Sequence, residues 1–229
     1  MIGIIGAMSV EVENLIAVML DEKVETISGI SYHVGRISNV DCVVAQCGVG
    51  KVAAAICAQT MILKYQPLAL INVGVAGGIG ETIHIGDIVI SRGLVQHDMD
   101  TSALGDEKGM ISGLNMVVIP ASEKLVTLAA STAAKIYGAG VHVGIIATGD
   151  QFIGSAEKLN HIAVEFGASA CEMEGASIAQ VCFINQVAFI VIRAISDNAN
   201  EDASVDFATF ARTSAHKITE LLAELLPNV

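Results

Sequence analysis

The chain of 229 residues carries 24 Asp and Glu against 12 Lys and Arg, so its formal net charge is −12. Because binding to nucleic acid depends on Lys and Arg displacing counterions from the phosphate backbone, this charge argues against a nucleic-acid partner. Hydrophobic residues make up 53% of the chain but aromatic residues only 4%, which favours buried parallel strands of Ala, Val, Ile and Leu under helices. The length suits one large domain, residues 1–229.

The cysteines and the apolar stretches predict a reduced compartment and no membrane insertion. The cysteines are odd in number, and all five lie scattered in apolar stretches, at Cys42, Cys47, Cys57, Cys171 and Cys182. They are interpreted as reduced core residues, which predicts a cytoplasmic protein. The first residues lack the basic start of a signal peptide. Residues 175–192 are uncharged, but Asn185 and Gln186 interrupt them, which argues against a membrane span.

Short β-branched runs alternate with Ala-rich helical stretches along the chain. In chain order, strands are predicted at residues 2–7, 30–37, 41–47, 68–75, 88–95, 141–148, 168–172 and 187–194. Helices are predicted at residues 10–20, at 51–64, from 122 onward, at 156–166, at 175–183 and at about 206–226. The polar, glycine-containing stretch 98–113 is predicted to be a long surface loop, and loops of that length are usually functional.

This order of elements predicts an α/β fold, a three-layer αβα sandwich around a mixed central sheet. The sheet is expected to be mixed because residues 30–37 and 41–47 form an antiparallel hairpin in an otherwise parallel array. In such sheets ligands bind beyond the carboxyl ends of the strands. Functional residues are therefore expected where strands end.

Acidic residues follow several of the predicted strands. The candidates are Glu11, Asp150, Glu172, Glu174 and Asp197, with Arg193 close to the last of them. Buried carboxylates cost free energy unless they are paired or protonated, so several that converge on one cleft indicate general acid and base chemistry. The alternative for each is a helix cap or a solvated side chain.

The glycine-rich and histidine-containing motifs do not match a cofactor or metal site. GVAGGIG at residues 74–80 lacks the order of a dinucleotide-binding loop, so it is interpreted as a tight turn or as backbone that approaches a flat ligand. His97 and Asp98 lack a second cluster of ligands with suitable spacing and are interpreted as loop structure. No sequence pattern indicates a nucleophile. Neither a cofactor nor a metal is expected.

Eight motifs occur in a specific order. They are GIIGAM (3–8), CGVGKVAAA (47–55), NVGVAGG (72–78), GDIV (86–89), HDMD (97–100), TGDQFI (148–153), EMEGASIAQVC (172–182) and RAISDNA (193–199). Together they resemble the bacterial 5′-methylthioadenosine/S-adenosylhomocysteine nucleosidases of the nucleoside phosphorylase family. The resemblance extends from residue 2 to about residue 215. It implies a nucleoside phosphorylase-like fold and a cytoplasmic homodimer of methionine salvage that hydrolyses the bond between adenine and ribose.

The resemblance implies chemical roles for three residues. The transition state of this hydrolysis has oxocarbenium character, so the enzyme has to protonate the departing base and supply water from the opposite face. Asp197 resembles the general acid that protonates adenine at N7, which requires a protonated carboxyl near neutral pH. Ser196 is expected to orient Asp197. Glu11 resembles the base that binds and activates the attacking water.

The resemblance also implies the residues that bind the substrate. Met173 and Glu174 resemble ribose contacts, with Glu174 accepting hydrogen bonds from the 2′ and 3′ hydroxyls. Arg193 is expected to orient this side of the site, and it also fits a buried ion pair with Glu174. The remaining implied contacts are Phe152 stacked on adenine, the Ile153 backbone at the adenine edge, Ala76 and Gly77 beside the base, and Met8, Val49 and Phe207 around the 5′-thio substituent.

The chain departs from the family pattern at two places. Val75 stands in the glycine-rich segment where Ser is most common, which removes a hydroxyl near the ribose. The 98–113 loop is expected to reach the partner's active site in a homodimer and to expose Leu104 and Met110. In this loop Leu104 and Asp106 replace the usual aromatic residues, and Ser112 stands where Pro is common. These departures bear on specificity for the 5′ substituent more than on the reaction.

Three other functions stay open. A nucleoside phosphorylase of the same fold would need Arg or Lys beside glycine amides, whereas residues 3–14 contain no basic residue and include Glu11. A hydrolase of another 5′-modified adenosine, or of a menaquinone-pathway nucleoside, is compatible with the altered loop. A nucleoside-binding protein without catalysis would need neither Glu11 nor Asp197. Adenine release from 5′-methylthioadenosine distinguishes these functions.

Overall fold

The described part of the chain is organised around a mixed sheet of ten strands. A computed structural model describes residues 1–198 and 203–229, except for the side chains of residues 203–206 and 208. The strands are β1 (Ile2–Gly6), β2 (Leu20–Ile27), β3 (Ile30–Ile37), β4 (Val40–Gln46), β5 (Ala69–Gly78), β6 (Ile88–Gln96), β7 (Ile119–Pro120), β8 (Val141–Thr148), β9 (Ala168–Glu172) and β10 (Ala188–Asp197). The helices are α1 (Ser9–Ala17), α2 (Lys51–Tyr65), α3 (Glu123–Tyr137), α4 (Ala156–Phe166), α5 (Gly175–Asn185) and α6 (Ala203–Leu225), with short 3₁₀ helices at Ser102–Leu104 and Leu226–Asn228.

The strand order is β10-β6-β8-β9-β5-β1-β4-β3-β2, with β7 paired to β6. Because β10 also pairs with β5, strands β5, β10, β6, β8 and β9 close into a ring. The pairs of β1 with β4 and β5, of β5 with β10, and of β8 with β6 and β9 are parallel. The hairpin β3–β4 and the pairs β2–β3, β5–β9, β6–β7 and β6–β10 are antiparallel. The predicted mixed sheet is confirmed.

Helices cover both faces of the sheet. One apolar cluster includes α2 and α5 on one face, and another includes α1, α3 and α6 on the opposite face. A smaller cluster packs α4 against β8 and β9. The three-layer αβα prediction is confirmed, and all five cysteines are buried free thiols within it. Among the described residues no helix is both long enough and apolar enough to span a membrane.

The sequence prediction misses β2 and places the end of α1 too late. Helix α1 ends at Ala17 rather than at residue 20, and Leu20 is the first residue of β2. Strand β2 lies at the edge of the sheet, and every residue in it except Ile27 is exposed. An exposed edge strand lacks the alternation of buried and solvated side chains by which strands are recognised in a sequence.

Two strands extend beyond their predicted ends, and the extensions form the site. Strand β5 continues to Gly78 and β10 continues to Asp197, so residues 74–78 are strand and not a turn. In the sheet register Gly77 lies beside Cys171 on one side and Asp197 on the other. The ends of β5, β9 and β10 therefore meet at one edge.

Candidate active site

A cavity of about 250 Å³ opens where β1, β5, β9 and β10 end. Eleven of the thirteen predicted site residues line it: Met8, Glu11, Val49, Ala76, Gly77, Phe152, Met173, Glu174, Ser196, Asp197 and Phe207. Ile153 lines a smaller cavity that shares Gly77 and Phe152 with the first. Arg193 is 1% exposed and lies behind the cavity wall. The strand-end rule therefore leads to one common site.

The wall also contains residues that received no role from the sequence. These are Ala7, Cys171 and Glu172. The wall also includes Val75, the residue at which the sequence departs from the family pattern. Cys171 gives no signal in the sequence because it belongs to an apolar run, and only the antiparallel register of β5 and β9 brings it beside Gly77. Glu172 gives a signal as an acid at a strand end, but its partners depend on the tertiary structure.

Glu11 lies in the first turn of α1 and lines the cavity. Its Oε2 accepts hydrogen bonds from Ala7 N at 2.7 Å and Met8 N at 2.9 Å, and its Oε1 accepts one from Val75 N at 3.0 Å. The bond from Met8 N satisfies a donor at the start of α1, so Glu11 is both a helix cap and a cavity residue. Burial raises the pKa of Glu11 above its ordinary value, while Arg193 and the three backbone N–H groups act in the opposite direction.

Strand β5 can approach Glu11 because residue 74 has no side chain. A Cβ on Gly74 would collide with Glu11 Oε1 and would lie 3.0 Å from Arg193 Nη1. The glycine-rich segment is expected from its sequence to let the backbone approach a flat ligand. At Gly74 the missing side chain instead makes room for the carboxylate of Glu11.

The buried guanidinium of Arg193 pairs principally with Glu172 and not with Glu174. Arg193 Nη2 donates to Glu172 Oε2, and it donates to Asn72 Oδ1 at 2.6 Å. The distance from Arg193 Nη2 to Glu174 Oε2 is 3.9 Å, so the predicted ion pair with Glu174 is only a secondary contact. The reason is that Glu172 still belongs to β9, whereas Glu174 has passed into the turn before α5.

Glu174 is held from a different direction. Its Oε1 accepts a hydrogen bond from Gly50 N at 2.9 Å, at the start of α2. Burial and, after it, the carboxylate of Glu172 raise the pKa of Glu174 to about 7, although Arg193 and the Gly50 N–H oppose this and Glu11 adds to it. The protonated form of Glu174 therefore persists to higher pH than that of a solvated glutamate.

Asp197 ends β10 in the cavity wall and is 3% exposed. Ser196 Oγ donates a hydrogen bond to Asp197 Oδ2 at 2.9 Å. Through this contact the hydroxyl restricts the rotation of the carboxyl, which is the geometry that an orienting role for Ser196 needs. Asp197 and Glu11 line the same cavity from different elements.

Apolar side chains complete the cavity. Phe152 is 53% exposed, and its ring meets the ring of Phe207 edge to face, with 5.9 Å between the centroids and 83° between the planes. Met8 and Val49 belong to the same wall. An accessible aromatic face next to aliphatic groups suits a flat base attached to a sugar with an apolar substituent.

Two acids near the site have structural contacts instead. Asp150 Oδ1 accepts from Lys51 N, at the start of α2, at 2.8 Å, so Asp150 is a helix cap. Asp98 accepts from Lys51 Nζ at 2.7 Å and from Asp150 N at 2.9 Å, and with His97 it belongs to the loop structure, as interpreted from the sequence. Within the described ranges no group of three or more His, Cys, Asp or Glu could hold a metal ion.

The long loop between β6 and β7 adds no residue to the cavity wall of its own chain. Leu104 is 84% exposed, and exposed Asp106 accepts a hydrogen bond from Thr101 Oγ1 at 2.7 Å. Met110 is only half-buried, so the expectation that it is exposed is wrong. Contact of Leu104 and Asp106 with a partner's site stays a prediction.

Comparison with known proteins places this geometry in a family. A family model described as Phosphorylase superfamily matches residues 1–227. A relative from Shewanella baltica (strain OS155 / ATCC BAA-1091), named 5′-methylthioadenosine/S-adenosylhomocysteine nucleosidase, is 44% identical over 232 residues, which cover 99% of this chain and 98% of the relative.

Two solved structures show the same architecture. The 5′-methylthioadenosine/S-adenosylhomocysteine nucleosidase from Neisseria meningitidis, in complex with methylthio-immucillin-A, has a TM-score of 0.96 at 33% identity, covering 100% of this chain and 99% of that one. The futalosine hydrolase of Helicobacter pylori strain 26695 has a TM-score of 0.95 at 36% identity, covering 100% of this chain and 97% of that one.

Proposed function

The chain belongs to the phosphorylase superfamily, and we propose that it hydrolyses the N-glycosidic bond of 5′-methylthioadenosine and S-adenosylhomocysteine. The products are adenine and the 5′-thioribose compound. The observation that carries this proposal is the presence of two buried carboxyl groups, Glu11 and Asp197, in the wall of one cavity. The reaction needs both, because one proton has to be given to the base and another taken from water.

Asp197 is the proposed general acid. Adenine is a poor leaving group as an anion, and protonation at N7 lets it depart as a neutral base. The hydrogen bond from Ser196 Oγ to Asp197 Oδ2 supports this role because it restricts the carboxyl to one orientation. The Asp197 side chain is therefore already in one orientation when the base binds, and proton transfer needs no change of rotamer.

Glu11 is the proposed base for the attacking water. Its two oxygens are held by three backbone N–H groups, so the carboxylate keeps its place when the substrate arrives. Burial raises its pKa above the ordinary value, which makes it a stronger base than a solvated glutamate. As the water attacks the anomeric carbon, its proton passes to Glu11 and the bond to adenine breaks.

The remaining wall residues bind the substrate in this proposal. Glu174 accepts hydrogen bonds from the 2′ and 3′ hydroxyls beside Met173, and Arg193 orients this side through its buried contacts. The Phe152 ring stacks on adenine, and the Ile153 backbone bonds the adenine edge. The other proposed contacts are Ala76 and Gly77 at the base and Met8, Val49 and Phe207 at the 5′-thio group.

Water rather than phosphate is the proposed nucleophile. None of the described residues that line the cavity is Lys or Arg. The nearby cation Arg193 has a carboxylate partner in Glu172, so its charge is not left for an anion. A phosphate dianion next to Glu11 would meet repulsion without a counter-charge.

Adenine release from 5′-methylthioadenosine tests the proposal. The reaction is followed in phosphate-free buffer and again after phosphate is added. We expect the same turnover in both, with free 5-methylthioribose as the sugar product. Turnover that requires phosphate, with a sugar 1-phosphate as the product, would identify a phosphorylase instead.

A second candidate is hydrolysis of futalosine, a function that the Helicobacter pylori relative carries in its name. The feature that favours it is the loop, where Leu104 and Asp106 depart from the aromatic residues that the family resemblance implies. The same assay with futalosine decides between the two substrates. We expect a lower kcat/KM for futalosine than for 5′-methylthioadenosine, because the wall of Met8, Val49 and Phe207 is apolar.

We further propose a cytoplasmic homodimer that acts in methionine salvage, with the 98–113 loop close to the partner's cavity. Apolar side chains on α2 and on the loop support this arrangement, since Val52 is 71%, Leu63 69% and Leu104 84% exposed. Exposed apolar groups that form one patch mark contact surfaces, and we infer that these side chains belong to such a patch. Sedimentation at micromolar concentration should show a dimer. A fully active monomer under those conditions would contradict the arrangement.

A further inference from the structure

A carboxylate without a role in the proposed reaction lies at the centre of the buried polar network. Glu172 is 8% exposed and accepts hydrogen bonds with both oxygens. Oε1 accepts from Thr148 Oγ1, and Oε2 accepts from Arg193 Nη2. Oε2 also accepts from Gly175 N at 2.8 Å and Glu174 N at 3.2 Å. Glu172 thus joins β8, β10 and the start of α5.

The hydrogens around Glu172 all point toward it. Thr148 Oγ1 accepts from Ala176 N at 2.8 Å, so its single proton is free to be donated to Glu172 Oε1. The other contacts of Glu172 are N–H groups, which can only donate. In this arrangement, each of these contacts is therefore one in which a carboxylate oxygen of Glu172 accepts.

The position of Arg193 depends on this carboxylate. Its Nη2 is bonded to Glu172 Oε2 and Asn72 Oδ1. Nε and Nη1 are buried and have no hydrogen-bond partner in the part of the chain that the structure describes. Without Glu172, the guanidinium would keep, within the described residues, the hydrogen bond to Asn72 Oδ1 and the longer 3.9 Å ion pair with Glu174.

We propose that Glu172 is a positioning residue: it holds Arg193 and the first residues of α5 so that the Glu174 carboxyl stays directed at the ribose. The role is indirect, since Glu172 acts through the Arg193 side chain and the Glu174 backbone. It rests on the proposed function, because the ribose is the group that Glu174 is proposed to bind. The two acids of residues 172–175 therefore have different roles: Glu172 fixes the position of Arg193, and Glu174 binds the ribose.

The arrangement also has an electrostatic consequence for Glu174. Four groups from different elements act on it: Glu172 on β9, Arg193 on β10, Glu11 on α1 and the Gly50 N–H before α2. The anion of Glu172 raises the pKa of Glu174, and by pairing with Arg193 it also takes up the cation that would lower it. Neutralising Glu172 should therefore lower the pKa of Glu174.

Binding to an enzyme with impaired turnover tests the proposal separately from the reaction. Asp197→Asn should bind 5′-methylthioadenosine and release adenine at least about 10²-fold more slowly than the wild type, so its Kd is measured before turnover, from pH 5.5 to 8.5, with and without Glu172→Gln. We expect Glu172→Gln to weaken binding about 10-fold at pH 8 and to move the acid limb of the Kd profile at least half a unit lower. Absence of any binding in Asp197→Asn would count against the proposed function and not against Glu172 specifically.

A matched control and a second pair of variants complete the test. Glu165→Gln removes an exposed glutamate on α4 and should change neither Kd nor its pH profile. Thr148→Val removes the donor to Glu172 Oε1, and Thr148→Ser keeps it. We expect Thr148→Val to raise KM about 5-fold and Thr148→Ser to recover most of that change.

Two outcomes would overturn the proposal. One is a folded Glu172→Gln enzyme with the wild-type Kd profile. The other, which decides the matter if Glu172→Gln does not fold, is equal KM and equal pH dependence for Thr148→Val and Thr148→Ser. A merely structural role for Glu172 would lower the melting temperature without moving the acid limb of the profile.

Discussion

Replacing Glu174 by Gln should make the protein more stable at alkaline pH while weakening its substrate binding. The pKa of Glu174 rises from its ordinary value of 4.5 to about 7 on folding. The folded state therefore binds a proton more tightly than the unfolded chain does, so stability falls as the pH increases from 4.5 to 7. The amide of Gln can still accept the hydrogen bond from Gly50 N but carries no charge.

The size of the effect follows from the shift. With one pKa unit equivalent to about 1.4 kcal/mol, the ionised Glu174 costs about 3 kcal/mol of folding free energy at pH 8 and about 1 kcal/mol at pH 5. The advantage of Glu174→Gln over the wild type should therefore grow by about 2 kcal/mol between these two pH values. For a chain of this length that corresponds to roughly 4–8 °C in melting temperature.

Urea unfolding of both proteins at pH 5, 6, 7 and 8 measures this difference. Glu165→Gln, on the exposed face of α4, is the matched control for loss of a glutamate charge. If the stability difference between Glu174→Gln and the wild type is the same at every pH, the electrostatic description of the buried cluster is wrong. A 10-fold or larger increase in KM for 5′-methylthioadenosine should accompany the gain in stability, because the neutral amide binds the ribose hydroxyls less strongly.

Three further substitutions address other parts of the site. Asp197→Asn should lower kcat by about 10²-fold or more without loss of folded structure, because the amide cannot donate an acidic proton. Adenine release measures the change in kcat, and circular dichroism checks that the variant is folded. Gly74→Ala should lower kcat at least about 10-fold, since its Cβ displaces the Glu11 carboxylate, and should cost roughly 1–3 kcal/mol in urea unfolding. Asp106→Tyr should shift the kcat/KM ratio toward 5′-methylthioadenosine and away from S-adenosylhomocysteine, from a starting difference of less than about tenfold, if the loop lines a partner's 5′ pocket.

Each of these has a clear contrary result. Wild-type turnover in folded Asp197→Asn would remove this residue from the chemistry. Unchanged kcat in Gly74→Ala would mean that the position of Glu11 is not critical. An unchanged substrate ratio in Asp106→Tyr, or a hundredfold preference of the wild type for 5′-methylthioadenosine, would show that the loop does not line the pocket for the 5′ substituent.

Elements with strong periodicity could be predicted closely from the sequence. Strand β9 and helix α4 begin and end where their apolar patterns do. Strand β2 could not be found, because its edge position leaves almost all its side chains in solvent. The sequence pattern predicts the ends of β5 and β10 too early, because glycines and a Ser-Asp pair are typical of loops. The ring closure of the sheet keeps these residues in extended pairs.

The members of the site could be predicted from the sequence better than their contacts. The acids at strand ends and the family motifs identify most of the cavity wall, including Glu11 and Asp197. The partner of Arg193 could not be identified, because Glu172 and Glu174 are two residues apart and only the end of β9 determines which one reaches the guanidinium. The same limit applies to Gly74, whose importance depends on where the Glu11 carboxylate lies.

The charge balance of the site connects its stability with its proposed reaction. Three buried carboxyl groups, on Glu11, Glu172 and Glu174, act on the buried cation Arg193, which is bonded principally to Glu172. A nucleoside whose ribose is uncharged does not balance the excess negative charge of these carboxyl groups. Positive charge that can balance it develops on the ribose only as the glycosidic bond breaks. Interactions that appear only at that stage accelerate the reaction. The stability that Glu174→Gln gains at alkaline pH and the activity that it loses should therefore have the same electrostatic origin.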